Sequence, residues 1–117
     1  MTGMSVRRGD VVIARYPFTD LSGTKPRPAL VIGVRTAGPD VILAFVSKVI
    51  AARPSSFEYV LLPTDPEFPL TGLRFPSVFR MDKIVTLSRI LLARHLGRVG
   101  PRMAQQLEIR LRAALGL

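Results

Sequence analysis

Hydrophobic and β-branched residues occur along this chain in short runs that are separated by turn residues. A turn about every eight to twelve residues predicts a series of short strands rather than long helices. Five runs have the composition of strands: Asp10–Tyr16, Ala29–Arg35, Val41–Lys48, Phe57–Leu62 and Ser77–Leu87. The first part of the chain is therefore predicted to be a β-structure.

The predicted strands differ in how much of their surface they bury. Val41–Lys48 is almost continuously apolar, which indicates burial on both faces. Ser77–Leu87 alternates between apolar and polar residues, so one of its faces is available for chemistry. Thr19–Pro28 has the composition of a loop, and Pro63–Gly72 has too many prolines for regular structure.

The hydrophobic period changes near the end of the chain. Pro101 follows Gly100 and suits the first position of a helix. Met103, Leu107 and Leu111 then recur at helical spacing, which predicts an amphipathic helix. We therefore predict a mainly β fold with a C-terminal α-helix, a small β-barrel with the helix packed on it, in a single domain over residues 1–117.

Composition excludes several kinds of site. The chain has no cysteine, so disulfides, thiolate metal sites and a cysteine nucleophile are excluded. It has one histidine, His95, so a metal site with several histidines is excluded. We expect no metal and no cofactor.

Charge and hydropathy indicate the kind of partner. The 17 Lys and Arg outnumber the 8 Asp and Glu, and a net charge of +9 predicts an anionic partner such as nucleic acid or an acidic protein. No apolar run is long enough to span a membrane, and no secretory signal pattern is present. We expect a soluble cytoplasmic protein with no membrane partner.

Two residues are candidates for chemistry on phosphate. Arg27 is flanked by Pro26 and Pro28, and a guanidinium on a stiff backbone suits a phosphate or a developing oxyanion. Ser47 ends the third predicted strand. Taken from the residues alone, two simpler interpretations stay open: Arg27 pairs with a carboxylate such as Asp20 or Asp82, and Ser47 bonds to the backbone.

A series of short motifs, in a fixed order, runs through almost the whole chain. It comprises Arg8-Gly9-Asp10-Val11-Val12, Tyr16-Pro17-Phe18-Thr19-Asp20, Lys25-Pro26-Arg27-Pro28-Ala29-Leu30-Val31-Ile32, and Ser77-Val78-Phe79-Arg80-Met81-Asp82-Lys83-Ile84. With this series the sequence resembles the MazF/PemK (Kid, CcdB-like) toxin family of type II toxin–antitoxin systems. The individual motifs are weak signals, and their order makes the resemblance specific.

The resemblance implies an SH3-like barrel, a homodimer and a cognate antitoxin, which the charge of +9 predicts to be acidic. It also implies a metal-independent, sequence-specific endoribonuclease, or mRNA interferase, acting on single-stranded RNA. Attack by the 2′-hydroxyl would leave a 2′,3′-cyclic phosphate and a 5′-hydroxyl end. In such toxins, an arginine of the R-P motif and a serine or threonine ending the third strand are catalytic, which implies Arg27 and Ser47. A later R-x-D motif adds Arg80 and Asp82.

RNA contacts are expected in the predicted loops. Lys25, Arg53 and Arg74 are candidates for contacts with the RNA backbone, and Phe18 and Phe68 for base stacking. Thr19 and Asp20 are further candidates for RNA binding, and the cleavage sequence is expected to depend on loops such as Asp20–Lys25 and Ala51–Ser56.

Two other functions stay open. One is a CcdB-like toxin that poisons DNA gyrase by binding protein, although the R-P motif resembles the RNA-cleaving branch. The other is a catalytically inactive binding module. The joint presence of Arg27, Ser47, Arg80 and Asp82 favours the ribonuclease over this second alternative.

Overall fold

The β-branched runs pair as antiparallel strands of one sheet. A computed structural model describes residues 4–16, 25–48 and 50–117. Its main elements are β1 (Asp10–Tyr16), β2 (Lys25–Val34), β3 (Asp40–Ser47), β4 (Glu58–Leu61), β5 (Ser77–Ser88), β6 (Leu92–Arg98) and α1 (Pro101–Leu115). The strand order is β4-β5-β3-β2-β1-β6. The mainly β fold with a C-terminal helix is confirmed, but the sheet is open, with edges at β4 and β6, and is not a closed barrel.

One strand and two short 3₁₀ helices, the second at Arg89–Leu91, were absent from the sequence prediction. β6 has no apolar alternation, and it pairs with β1 through two register shifts, which disrupt any period of two. A 3₁₀ helix, Phe68–Thr71, lies inside the segment for which no regular structure was predicted. That prediction was wrong because Pro69, near the start of the turn, has the φ that a helical turn requires.

β2 begins at Lys25, so the residues around Arg27 belong to a strand and not to the predicted loop. Pro26 and Pro28 lie opposite β1, whereas the ladder to β3 begins only at Ala29, opposite Phe45. A proline has no N–H to donate, and a strand tolerates it where one edge is unpaired. The prolines are therefore compatible with a strand end that is bonded on one side only.

Each face of the sheet supports its own hydrophobic cluster, and β3 contributes to both. Ala44 and Val46 belong to the cluster that Met103 and Leu107 of α1 cover. The alternate β3 residues belong to the cluster on the opposite face. The prediction that β3 is buried on both faces is confirmed, as is the amphipathic helix.

The start of α1 is capped by a residue from a distant part of the chain. The N-cap position is Gly100, which has no side chain to offer. Instead, the Glu67 carboxylate accepts hydrogen bonds from the backbone N–H groups of Arg102, at 3.0 Å, and Met103, at 2.7 Å.

Neither α1 nor the shorter helices of the described chain are long and apolar enough to cross a membrane.

The 3₁₀ helix Phe68–Thr71 and the chain after it lie directly against β6. A Cβ on Gly97 would lie 2.3 Å from the carbonyl oxygen of Leu70, and a Cβ on Gly72 would lie 2.2 Å from that of Leu96. Gly72 also has a φ of 73°, which favours glycine. These contacts hold residues 72–76 beside β6, where they form one wall of the groove described below.

Candidate functional site

A groove of about 740 Å³ lies where the ends of β2 and β3 approach β6 and residues 72–77. It exists because the β2–β3 ladder stops at Ala29 and Phe45, while both strands continue beyond that pair. The size is that of a typical ligand-binding cleft.

Among the residues that the structure describes, cations line the groove and no carboxylate does. Five basic side chains contribute to its walls: Arg15, Arg27, Lys48, Arg74 and Arg94. Like charges that converge on one concave surface raise the local positive potential and attract anions. The fold thus collects on one surface part of the positive charge that is spread along the sequence.

Arg27 and Ser47 are brought together at this groove. Both line it. Ala29 and Phe45 are the last cross-strand partners of the β2–β3 ladder, and Arg27 and Ser47 each lie two residues beyond that pair, where the two strands have parted. The Arg27 residue is exposed and Ser47 is half-buried, which suits a pair that meets a ligand from solvent.

Arg80 and Asp82 form a neighbouring charged cluster with Glu58, and they do not line the groove. Arg80 Nε lies 2.9 Å from Glu58 Oε2 and 3.5 Å from Asp82 Oδ1. This buried nitrogen lacks the alignment of a hydrogen bond, so the contact with Glu58 is an ion pair. Arg80 lies opposite Phe45, two residues before Ser47, which places the cluster next to the end of β3.

The predicted RNA-contacting residues are divided by the structure. Arg74 lines the groove. Lys25, at the start of β2, and Arg53, in an exposed connection, are both exposed and do not line it. Phe68 packs against the hydrophobic core, so its position there disagrees with the base-stacking prediction. The remaining predicted contacts lie outside the described residues: Phe18, Thr19 and Asp20.

The groove also contains residues that the sequence analysis did not select. Arg94 and His95 belong to the unpredicted strand β6, and Arg15 lies on β1. Lys48 and Phe75 lie beside Ser47, with Lys48 Nζ 4.2 Å from the centre of the Phe75 ring. The available sequence signal was the position of Lys48, which directly follows Ser47.

The Gly9-Asp10 motif has a structural role in this fold. Asp10 is buried. Its carboxylate accepts hydrogen bonds from Arg98 Nη1, at 2.5 Å, and from the backbone N–H of Arg7, at 2.9 Å. His95 Nε2 lies 3.5 Å from the same carboxylate. Asp10 therefore ties the start of β1 to β6, which carries one wall of the groove.

Several solved structures with the same fold are toxins or toxin–antitoxin complexes. An endoribonuclease in complex with its cognate antitoxin, from a mycobacterial species, aligns with a TM-score of 0.74 and 22% identity over 97% of each chain. The Mycobacterium tuberculosis toxin MazF-mt6 aligns with a TM-score of 0.72 and 21% identity over 92% of this chain and 97% of that one. The MazE-MazF structure from Deinococcus radiodurans aligns with a TM-score of 0.69 and 20% identity over 97% of this chain and 98% of that one.

The sequence itself matches a family. A comparison with curated proteins gives no match. The model of the PemK-like, MazF-like toxins of type II toxin–antitoxin systems matches residues 7–115, nearly the whole chain and all the motifs quoted above. On this evidence, the chain belongs to the PemK-like, MazF-like toxin family of type II toxin–antitoxin systems.

Proposed function

We propose that this protein is an endoribonuclease toxin that cleaves single-stranded RNA at specific sequences without a metal ion. The observation that carries the proposal is the cationic groove that both Arg27 and Ser47 line. Single-stranded RNA is a flexible polyanion, and a groove with cations on several walls suits its backbone. The solved relative described as an endoribonuclease supports the same activity.

The reaction is an internal transesterification at one phosphate. The 2′-oxygen forms a bond to phosphorus and loses its proton, the bond from phosphorus to the 5′-oxygen breaks, and that oxygen takes up a proton. The products are a 2′,3′-cyclic phosphate and a 5′-hydroxyl end. Arg27 binds the phosphate oxygens, whose negative charge increases in the transition state, and Ser47 donates a hydrogen bond to one of them.

Proton transfer needs a further group, because an arginine stays protonated and cannot accept a proton. We assign the acceptor role to Asp82, with Arg80 as the residue that orients its carboxylate across the 3.5 Å contact. Their cluster lies outside the groove walls and next to the end of β3, so the proposal requires the 2′-hydroxyl beside the scissile phosphate to lie between Ser47 and Asp82, within hydrogen-bond reach of that carboxylate. Asp82→Asn is expected to lower the rate of cleavage and to leave the affinity for RNA unchanged. Single-turnover cleavage rates and RNA dissociation constants, each measured for the variant and the wild-type protein, would test this.

The expected partners follow from charge and from the relatives. The net charge of +9 favours an acidic antitoxin, and two of the solved relatives were determined with an antitoxin bound. We propose that the protein acts as a homodimer in the cytoplasm, where its RNA substrate is found. Salt should weaken RNA binding strongly, because binding to a cationic groove releases counterions.

The test is cleavage of a long unstructured RNA in excess EDTA, with the cut ends mapped. Discrete cuts that leave 5′-hydroxyl ends are expected from the wild-type protein. Arg27→Ala should lower the rate about 100- to 1,000-fold, since it removes a donor aimed at the developing charge. The matched control is Arg35→Ala, which removes the same charge from an exposed position just after β2.

Two results would contradict the proposal. Cleavage by Arg27→Ala at the rate of Arg35→Ala would remove Arg27 from the catalytic machinery. RNA left intact by the wild-type protein would favour the alternatives, a gyrase-poisoning toxin or a binding module, and binding to gyrase would then be measured.

A further inference from the structure

Phe75 has unusual exposure for a large aromatic residue. Its exposed fraction is 53%, whereas every other Phe or Tyr side chain that the structure describes is buried or half-buried. It lines the cationic groove next to Ser47 and Lys48. An exposed apolar ring at a concave, charged surface marks a contact site for a ligand that has both apolar faces and negative charge.

The segment that carries Phe75 is held in place. The Ser77 hydroxyl donates a hydrogen bond to the Phe75 carbonyl oxygen at 2.7 Å. Pro76 restricts the backbone of the residue before it. On the other side, Gly72 lies too close to the Leu96 carbonyl for any Cβ to fit. The ring is therefore presented by a constrained backbone, which lowers the entropy that a ligand must overcome on binding.

The Lys48 side chain covers one face of the Phe75 ring. Its ammonium lies 4.2 Å from the ring centre, in a cation–π contact. The contact uses one face of the ring, while half of the residue's surface stays exposed to solvent. Lys48 directly follows Ser47, so the ring and its cation lie close to the phosphate that Ser47 is proposed to contact.

We propose that Phe75, with Lys48 behind it, is a base-stacking subsite that binds one unpaired nucleobase of the RNA beside the scissile phosphate. The base stacks on the exposed part of the ring, and the Lys48 ammonium attracts the adjoining phosphate. The subsite fixes which phosphate meets Arg27 and Ser47, so it acts in positioning and specificity. This inference rests on the proposed ribonuclease function.

Direct binding is tested with a built-in reporter. The chain contains two tyrosines and no tryptophan, so Phe75→Trp introduces a single tryptophan at the subsite, which is excited selectively at wavelengths that tyrosine does not absorb. An RNA oligonucleotide with a 2′-deoxy sugar at the mapped cut site cannot be cleaved and serves as the probe. We expect the fluorescence of this tryptophan to be quenched when the oligonucleotide binds. An oligonucleotide that lacks the base at one particular position next to the cut should quench the tryptophan far less. Equal quenching by all abasic oligonucleotides would overturn the inference.

The contribution to cleavage is tested by variants with a matched control. Phe75→Ala is expected to raise KM about 5- to 150-fold, the range that corresponds to one stacked base, with a smaller effect on kcat. Phe75→Tyr should restore most of the loss, whereas Phe75→Leu, which keeps apolar bulk without an aromatic face, should not. The control is Leu70→Ala, which truncates an apolar side chain that is 55% exposed and outside the groove.

The decisive measurement couples protein and RNA. For the wild-type protein, an abasic sugar at one nucleotide position, that of the stacked base, should lower the rate of cleavage. For Phe75→Ala, the same abasic RNA and the intact RNA should be cleaved at equal rates. Equal sensitivity of both proteins, or equal rescue by Leu and Tyr, would overturn the inference while leaving the ribonuclease intact. If the wild-type protein does not cleave RNA, the proposed function fails and no cut site is mapped; quenching of Phe75→Trp by an unstructured RNA oligonucleotide, compared with an oligonucleotide that is abasic throughout, then decides whether the subsite binds a base.

Discussion

The helix cap formed by Glu67 provides the sharpest test of how this fold is held together. Glu67 reaches the first turn of α1 from the segment before the 3₁₀ helix and accepts two backbone hydrogen bonds there. Its charge also interacts favourably with the positive end of the helix dipole. Loss of an N-cap costs about 0.5–2 kcal/mol, and with a charged acceptor and two bonds we expect about 2 kcal/mol for Glu67→Ala.

Gly100 makes this prediction specific. A Cβ at Gly100 would lie 2.4 Å from Glu67 Cδ, so Gly100→Ala must displace the carboxylate from its hydrogen bonds. We expect Gly100→Ala to cost about 2 kcal/mol in the wild-type protein and under about 0.5 kcal/mol in Glu67→Ala, because the cap is already lost there. Gly100→Ser in the Glu67→Ala background should recover about 1 kcal/mol, because serine at the N-cap supplies its own acceptor.

The assay is urea unfolding followed by far-ultraviolet circular dichroism, with the free energy extrapolated to water. Glu108→Ala is the matched control: Glu108 is exposed on α1, and its contact with Arg8 at 3.7 Å is a surface ion pair worth well under about 1 kcal/mol. The reasoning is refuted if Glu67→Ala costs no more than Glu108→Ala, or if Gly100→Ala has the same cost with and without Glu67.

Two further predictions concern packing and titration. Gly97→Ala should lower stability by about 2–4 kcal/mol in the same urea assay, because its Cβ would overlap the backbone oxygen of Leu70; a loss under about 0.5 kcal/mol would show that β6 shifts freely. Burial, and then Asp65, raises the pKa of Tyr59 above the usual 10.0, so in the variant Tyr16→Phe, which leaves Tyr59 as the only tyrosine, the absorbance of tyrosinate should rise with a midpoint above pH 10. The contribution of Tyr59 to the free energy of unfolding is then present below pH 10 and is lost as the pH rises through the raised pKa. A midpoint at or below pH 10 would contradict this environment of Tyr59.

Local pattern predicted most of the secondary structure. The bounds of β1 and the start of α1 were confirmed, because β-branched runs, helical periodicity and Pro101 act over neighbouring residues. β6 and the first four residues of β2 were missed. Both depend on hydrogen bonds to β1, a partner distant in sequence, and composition does not reveal such a partner.

The candidate site divides in the same way. Arg27, Ser47 and Arg74 were identified from the sequence and lie at one groove. Phe75 was not favoured, because its sequence context does not distinguish an exposed aromatic from a buried one. Phe68, which was favoured, packs against the core.

By itself, the sequence determined the element types, the excess of positive charge and the family motifs, since each is a property of residues that are close together or of the whole composition. Only the tertiary structure decided that five of the basic side chains converge on one groove, that Arg27 and Ser47 both line it, and that Glu67 caps α1. These arrangements join residues 12 or more positions apart, from different strands and connections. Their proximity is set by strand register and by backbone approaches such as that at Gly97, which exist only once the sheet has formed.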